Sequence, residues 1–145
     1  MKHKGLLVVV ITGAVCLSRM SHGEASFSAQ QKIGQNLAEV QNNLGNAYYT
    51  GKGVPQDFKE AAKWYRLAAE QGNAAAQFIL GSLYYSGDGV PQDYAQAYAW
   101  LSISASQGRQ ESVESLPNII KTMTPAQIAE GQRLSREYGE KFGKK

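Results

Sequence analysis

The sequence predicts an all-α fold, an α-solenoid of antiparallel helix hairpins closed by capping helices, and three observations predict it. The stretch GVPQD occurs at residues 53–57 and again at 89–93. Laying Gly45 over Gly81 aligns 38–73 with 74–109 at a constant offset of 36 residues, pairing Leu44 with Leu80, Tyr48 with Tyr84, Trp64 with Trp100, Ala69 with Ala105 and Gly72 with Gly108. Within each unit, small and apolar residues recur at spacings of three and four. A fixed period of this size marks a stack of supersecondary units, none of which can bury its own apolar face alone.

Each unit reads as two amphipathic helices. Ala38, Gln41, Leu44, Gly45 and Tyr48 form the packing stripe of the first, echoed by Ala74, Gln77, Gly81 and Tyr84. Ala61, Trp64, Tyr65, Ala68 and Ala69 form that of the second, echoed by Ala97, Trp100, Leu101, Ser104 and Ala105. Trp64 and Trp100 are core candidates, because large aromatic rings on a packing stripe fill space between helices.

GVPQD is then the hairpin corner. Gly51 and Gly53 supply the left-handed backbone that ends the first helix. Val54 is expected to plug the open end between the helices, and Pro55 stops the first helix from continuing. Asp57 is read as the N-cap of the second helix with Glu60 completing a capping box, and Asp93 with Gln96 repeats it.

Two units are fewer than the roughly three a solenoid needs, so the flanks must cap the stack. Residues 26–37 are read as an N-terminal capping segment, with a capping box at Ser28 and a break at Gly34 separating a short cap from the first repeat helix. Residues 110–145 are read as C-terminal capping helices. The first, 110–122, reads as a third helix of the first type and is expected to be kinked or divided at Pro117. The second opens with Thr124 as N-cap, Pro125 at the first helical position, Gln127 closing the box, and Met123 and Ile128 as a hydrophobic staple. Ile128, Leu134, Tyr138 and Phe142 along one side would cover the end of the array.

The N-terminus has a different character. MKHK followed by the uncharged run GLLVVVITGAVCL has the form of a secretory signal peptide, and thirteen residues fall short of the ~20 that span a membrane. Cleavage is expected after Ala25, with Gly23 at the third position back, in preference to cleavage after Gly23. A lipid anchor at Cys16 is disfavoured by the branched Val15 before it. Removal of 1–25 takes with it Cys16, both histidines (His3 and His22), Lys2, Lys4, Arg19 and Glu24. Twelve basic residues then face eleven acidic ones, and the pI of about 9.0 is no argument for nucleic acid or anionic membrane as a partner.

Loss of every histidine and cysteine removes the usual general base near neutral pH and the thiolate nucleophile. No Ser-x-x-Lys and no Gly-x-Ser-x-Gly occurs. GKG at 51–53 lacks the spacing of a phosphate loop. Asp57, Asp93, Glu60 and Glu39 are explained as caps or first-turn charges, so neither a catalytic residue, a metal site nor a cofactor is assigned.

The two units, LGNAYYTGKGVPQDFKEAAKWYRLAAEQGN and AAAQFILGSLYYSGDGVPQDYAQAYAWLSISASQG, resemble consecutive Sel-1-like repeats, relatives of the tetratricopeptide repeat, over 38–73 and 74–109. The LG, the tyrosine, the paired glycines before Val-Pro, the capping Asp and the closing Ala-x-x-Gly all match in place. MTPAQIAEGQRLSRE resembles the terminal segment of bacterial members. The resemblance implies a right-handed solenoid and, together with the signal-like N-terminus, an exported bacterial protein, periplasmic or secreted. It also implies that a protein or peptide is bound on the concave face lined by the first helices.

Asn42, Asn43, Asn46, Tyr49, Ser82 and Tyr85 lie on those helices outside the packing stripe and are the candidate partner-binding residues. Recurrence of Tyr49 as Tyr85 favours half-buried packing roles for the two tyrosines over partner binding. Some secreted relatives are linked to β-lactam binding or hydrolysis, but those carry a cysteine pair in each repeat, which this chain lacks. A passive spacer within an envelope complex is the remaining alternative. The chain is expected to be a monomer, with no membrane contact after signal cleavage.

Overall fold

The structure, a computed structural model, describes residues 22–142, with side chains from residue 29 onward. Residues 1–21 of the expected signal peptide, and residues 143–145, lie outside the described residues. By its internal contacts the chain divides into Met1–Lys32 and Ile33–Lys145. The described part of the first unit is the start of one helix, and the second unit holds everything discussed below.

Among the described residues six helices follow one another: α1 (His22–Thr50), α2 (Phe58–Glu70), α3 (Ala74–Ser86), α4 (Tyr94–Ser106), α5 (Gln110–Thr122) and α6 (Pro125–Phe142). The described residues contain no strand. Helices α1/α2 and α3/α4 are the two hairpins. Gly45 and Gly81 sit where the two helices of a hairpin approach most closely. A Cβ on Gly45 would lie 2.7 Å from the Tyr65 ring, and one on Gly81 2.8 Å from Leu101 Cγ.

Both corners are built alike. Gly51 and Gly53 have φ of +74° and +79°, Gly87 and Gly89 +81° and +71°. The Gly51 and Gly87 amides donate to Ala47 and Leu83 carbonyls at 2.8 and 2.7 Å, closing each first helix. Asp57 Oδ1 accepts from the Lys59 and Glu60 amides, and Asp93 Oδ1 from the Gln96 amide. The reciprocal half of the expected capping box is absent. The Asp57 and Asp93 amides donate instead to the Tyr48 and Tyr84 carbonyls, each at 2.9 Å, which pins the second helix to the end of the first. Gln56 and Gln92, unassigned in the sequence, finish the corner by donating to the Tyr49 and Tyr85 carbonyls at 2.8 Å. Every polar letter of GVPQD thus answers a backbone group that the turn would otherwise strand. Val54 and Val90 are both half-buried, and Val90 packs against the main core.

Stacking of repeat 2 on repeat 1 makes the main core. Ala61, Ala62, Tyr65, Ala68 and Ala69 of α2 meet Ala76, Leu80, Leu83 and Tyr84 of α3, joined by Ala97, Trp100 and Ile103 of α4. Small residues dominate because helix axes come close. Polar ties run through the core at the repeat spacing: Gln71 donates to Gln41, and Gln107 donates to the fully buried Gln77 at 2.6 Å. At the next interface the chain uses serines. Ser104 donates to the Ala74 carbonyl and accepts from Ser112, both at 2.8 Å, fastening α5 to the array with neither hydroxyl left unpaired.

Three expectations about the flanks change. Helix α1 runs unbroken through Gly34, and its backbone is already helical at Ser28, so Ser28 is no N-cap. A lone glycine costs a helix only ~1 kcal/mol relative to alanine, which the turns on either side outweigh. Pro117 does not divide α5. Proline removes the amide that would serve the Val113 carbonyl, but Val113 is exposed and water can serve it.

Helix α6 does not lie on α5 as a third second-helix would. It packs along α4, with Gly131 against Tyr98 and Leu134 against Ala95 and Ala99, and its last residue reaches Gly72 at the end of α2. Tyr138 and Phe142 stack on Trp100 at centroid distances of 4.8 and 5.8 Å. Trp100 is therefore 1% exposed, while its counterpart Trp64 stays half-buried, short of the core position expected for it.

The start of α6 is as the sequence implies. Thr124 Oγ1 accepts from the Gln127 amide at 3.2 Å, Gln127 Oε1 accepts from the Thr124 amide at 2.8 Å, and Met123 and Ile128 share one apolar cluster. Thr124→Ala is expected to lower stability by about 1 kcal/mol, readable in urea unfolding as a shifted midpoint at unchanged slope.

Candidate functional site

The first helices α1, α3 and α5 carry the residues singled out for partner binding. Positions 46, 82 and 118, one per unit at the repeat spacing, hold Asn, Ser and Asn.

Between α3 and α5 lies a pocket of about 230 Å³ lined by Ser82, Tyr85, Leu101, Ser115, Asn118 and Ile119. Leu101 and Ile119 are buried and form an apolar floor, while Asn118 is exposed at the rim. Ser82 Oγ donates to the Phe78 carbonyl at 3.0 Å, leaving its lone pairs for an incoming donor. No carboxylate, ammonium or guanidinium lines the pocket.

Of the predicted residues, Ser82 and Tyr85 are brought together here. Asn42, Asn46 and Tyr49 on α1 do not line this pocket. Asn46 Oδ1 accepts from the Tyr65 hydroxyl at 2.7 Å, and burial pushes the Tyr65 pKa up to about 12, so that hydroxyl stays protonated and donating at neutral pH. Asn42 Oδ1 is enclosed without a hydrogen-bond partner among the described residues. Tyr49 leans on Phe58 with ring centroids 5.2 Å apart, and Tyr85 on Tyr94 at 5.3 Å. Each tyrosine therefore braces its first helix against the start of the second, and Tyr85 also shows one edge to the pocket.

Ser115 and Asn118 were missed from sequence. The signal is present in the sequence, since 110–122 reads as a third first-type helix and adding 36 to 82 gives 118, one register step beyond the candidate residues on the first two. Among the described residues, no three His, Cys, Asp or Glu side chains gather as a metal site would need.

The repeat seen in sequence and geometry has a name. The Sel1 repeat family profile matches residues 38–73 and 74–108. The chain carries two Sel1 repeats. Modules of this kind commonly mediate protein interactions, and their scaffold is generally non-catalytic.

Two crystal structures are similar to the Sel1 pair and its flanks. One is a protective antigen present in uropathogenic Escherichia coli strains, displaying an SLR fold. It is 31% identical with a TM-score of 0.69, over 83% of this chain and 32% of that one. The other is a Sel1 repeat protein from Oxalobacter formigenes. It is 45% identical with a TM-score of 0.56, over 57% of this chain and 24% of that one. Both superpose on the right-handed solenoid of helix hairpins. The chain spans a third or less of the length of either structure.

Proposed function

We propose that the chain is an exported, non-catalytic adaptor that holds an uncharged stretch of a protein or peptide against α3 and α5. The pocket floored by Leu101 and Ile119 is the observation that carries this reading. An apolar side chain of the partner fills it, displacing water from about 230 Å³, while Ser82, Ser115 and Asn118 meet the partner's backbone amides at the rim. Absence of charged groups from the lining disfavours an ionised side chain, which would lose its hydration without a counter-charge. This pocket is what a passive spacer would not need. Export rests on the basic and apolar N-terminal run, and processing after Ala25 would leave the repeats intact.

A displayed peptide library selected on the protein tests the binding. The expected result is a consensus with one large apolar residue and no charge beside it. Asn118→Arg, at an exposed position, is expected to weaken the selected peptide at least about tenfold with an unchanged helical circular dichroism spectrum. Selection without a consensus, or full affinity in the variant, overturns the pocket as the site. Mass spectrometry of the protein recovered from a periplasmic fraction, expected to begin at Ser26, tests export separately.

A further inference from the structure

Helix α1 presents Ile33, Leu37 and Val40 to solvent at 65%, 48% and 55% exposure, and Leu44, half-buried, continues the line. Spacings of four, three and four are those of a heptad seam. The repeat shows what this face is for. One unit on, the counterparts of Val40, Leu44 and Ala47 are Ala76, Leu80 and Leu83, which are exposed 0%, 0% and 2% because repeat 1 covers them. Leu67 of α2 is likewise 42% exposed where its counterpart Ile103 is in the core. The open face is thus the stacking face of the array, with no unit before it.

We propose that this face pairs with the same face of a second copy of the chain, α1 against α1, in a two-fold dimer. Three observations choose that occupant. Where α3 has the small Ala76, α1 has the bulkier Val40, and Ile33 and Leu37 stand where the next unit has Ala69 and Asn73. Knobs of this size suit a helix laid alongside and do not suit the close approach of another repeat. The opposite end does not repeat the end of a unit, because α6 lies back over α4 and its side chains cover Trp100. Head-to-tail stacking would therefore meet α6 in place of a repeat, which favours the isologous contact that closes on itself. Finally, the seam is flanked by Asn36 and Asn43, so two copies meet without like charges in apposition.

Asn46 is nine residues from Leu37, half a turn round the helix, so the dimer would leave the α3–α5 pocket of both copies open. A pair of pockets would raise the avidity for a partner offering two segments. The proposal does not rest on that pocket, and it replaces the monomer expected from the sequence.

Light scattering and sedimentation of the exported protein, from about 1 to 100 μM, test it. Twice the chain mass is expected at the upper end. Val40→Glu, at a solvent-exposed position that the fold tolerates, is expected to weaken dimerisation by about 100-fold or more, since each dimer would enclose two carboxylates without partners. Gln35→Glu, exposed and away from the seam, should leave the dimer in place. A monomer throughout the concentration range overturns the proposal, and so does a dimer indifferent to Val40→Glu.

Discussion

Gly89→Ala is expected to destabilise the protein by about 2–5 kcal/mol, while the same substitution at the matching corner residue, Gly53, costs about 1–2 kcal/mol. Both glycines have positive φ, so alanine at either carries the left-handed penalty. The difference lies in what a Cβ would meet. At Gly53 nothing stands within 4 Å, whereas at Gly89 the methyl would overlap the Phe58 carbonyl and sit 2.9 Å from the Lys59 nitrogen. Those are backbone atoms in the first turn of α2 and cannot rotate away. Corner 2 leans on the preceding repeat, and corner 1 has none to lean on. Thermal unfolding of the two variants side by side checks this. A domain of this size loses about 4 °C per kcal/mol, so the two midpoints should separate. Equal midpoints would mean that the two repeats stack less closely than described.

A comparable asymmetry is expected at the two tryptophans. Trp100→Ala should cost about 3–5 kcal/mol, the range for a large buried aromatic, and Trp64→Ala about half as much. Trp100 is enclosed by the main core on one side and by Tyr138 and Phe142 on the other, while Trp64 has no α6 above it. Trp100 also holds its indole N–H buried without an acceptor among the described residues. Trp100→Phe should therefore cost less than about 2 kcal/mol, because the stranded donor, a burden of ~1–3 kcal/mol, leaves with the lost volume. Denaturant unfolding of the three variants gives these numbers directly. A Phe variant as unstable as the Ala variant would show that indole volume alone matters, and the unpaired donor hardly at all.

Where the chain repeats itself, the sequence by itself determined the structure. The 36-residue offset specifies two hairpins, the glycines and Asp57 and Asp93 specify their corners, and Thr124, Pro125 and Gln127 specify the start of α6. In each case the cause is local: a left-handed φ that glycine meets, or a backbone amide that a side chain two or three residues away can reach. Tertiary structure alone decided how equivalent residues differ. Trp64 and Trp100, Gly53 and Gly89, Val40 and Ala76 are pairs in one register, yet one of each is open and the other enclosed. Burial belongs to the neighbour, and a neighbour depends on where an element stands in the stack. The pocket between α3 and α5 was half legible for the same reason. Ser82 and Tyr85 could be placed on a face from spacing, but Ser115 and Asn118 joined them only because α5 packs against α4 and so faces α3 across the pocket, while α6 also turns back onto α4. That turn is set by the fit of Gly131, Leu134, Tyr138 and Phe142 to α4, a long-range match that no short stretch of sequence encodes.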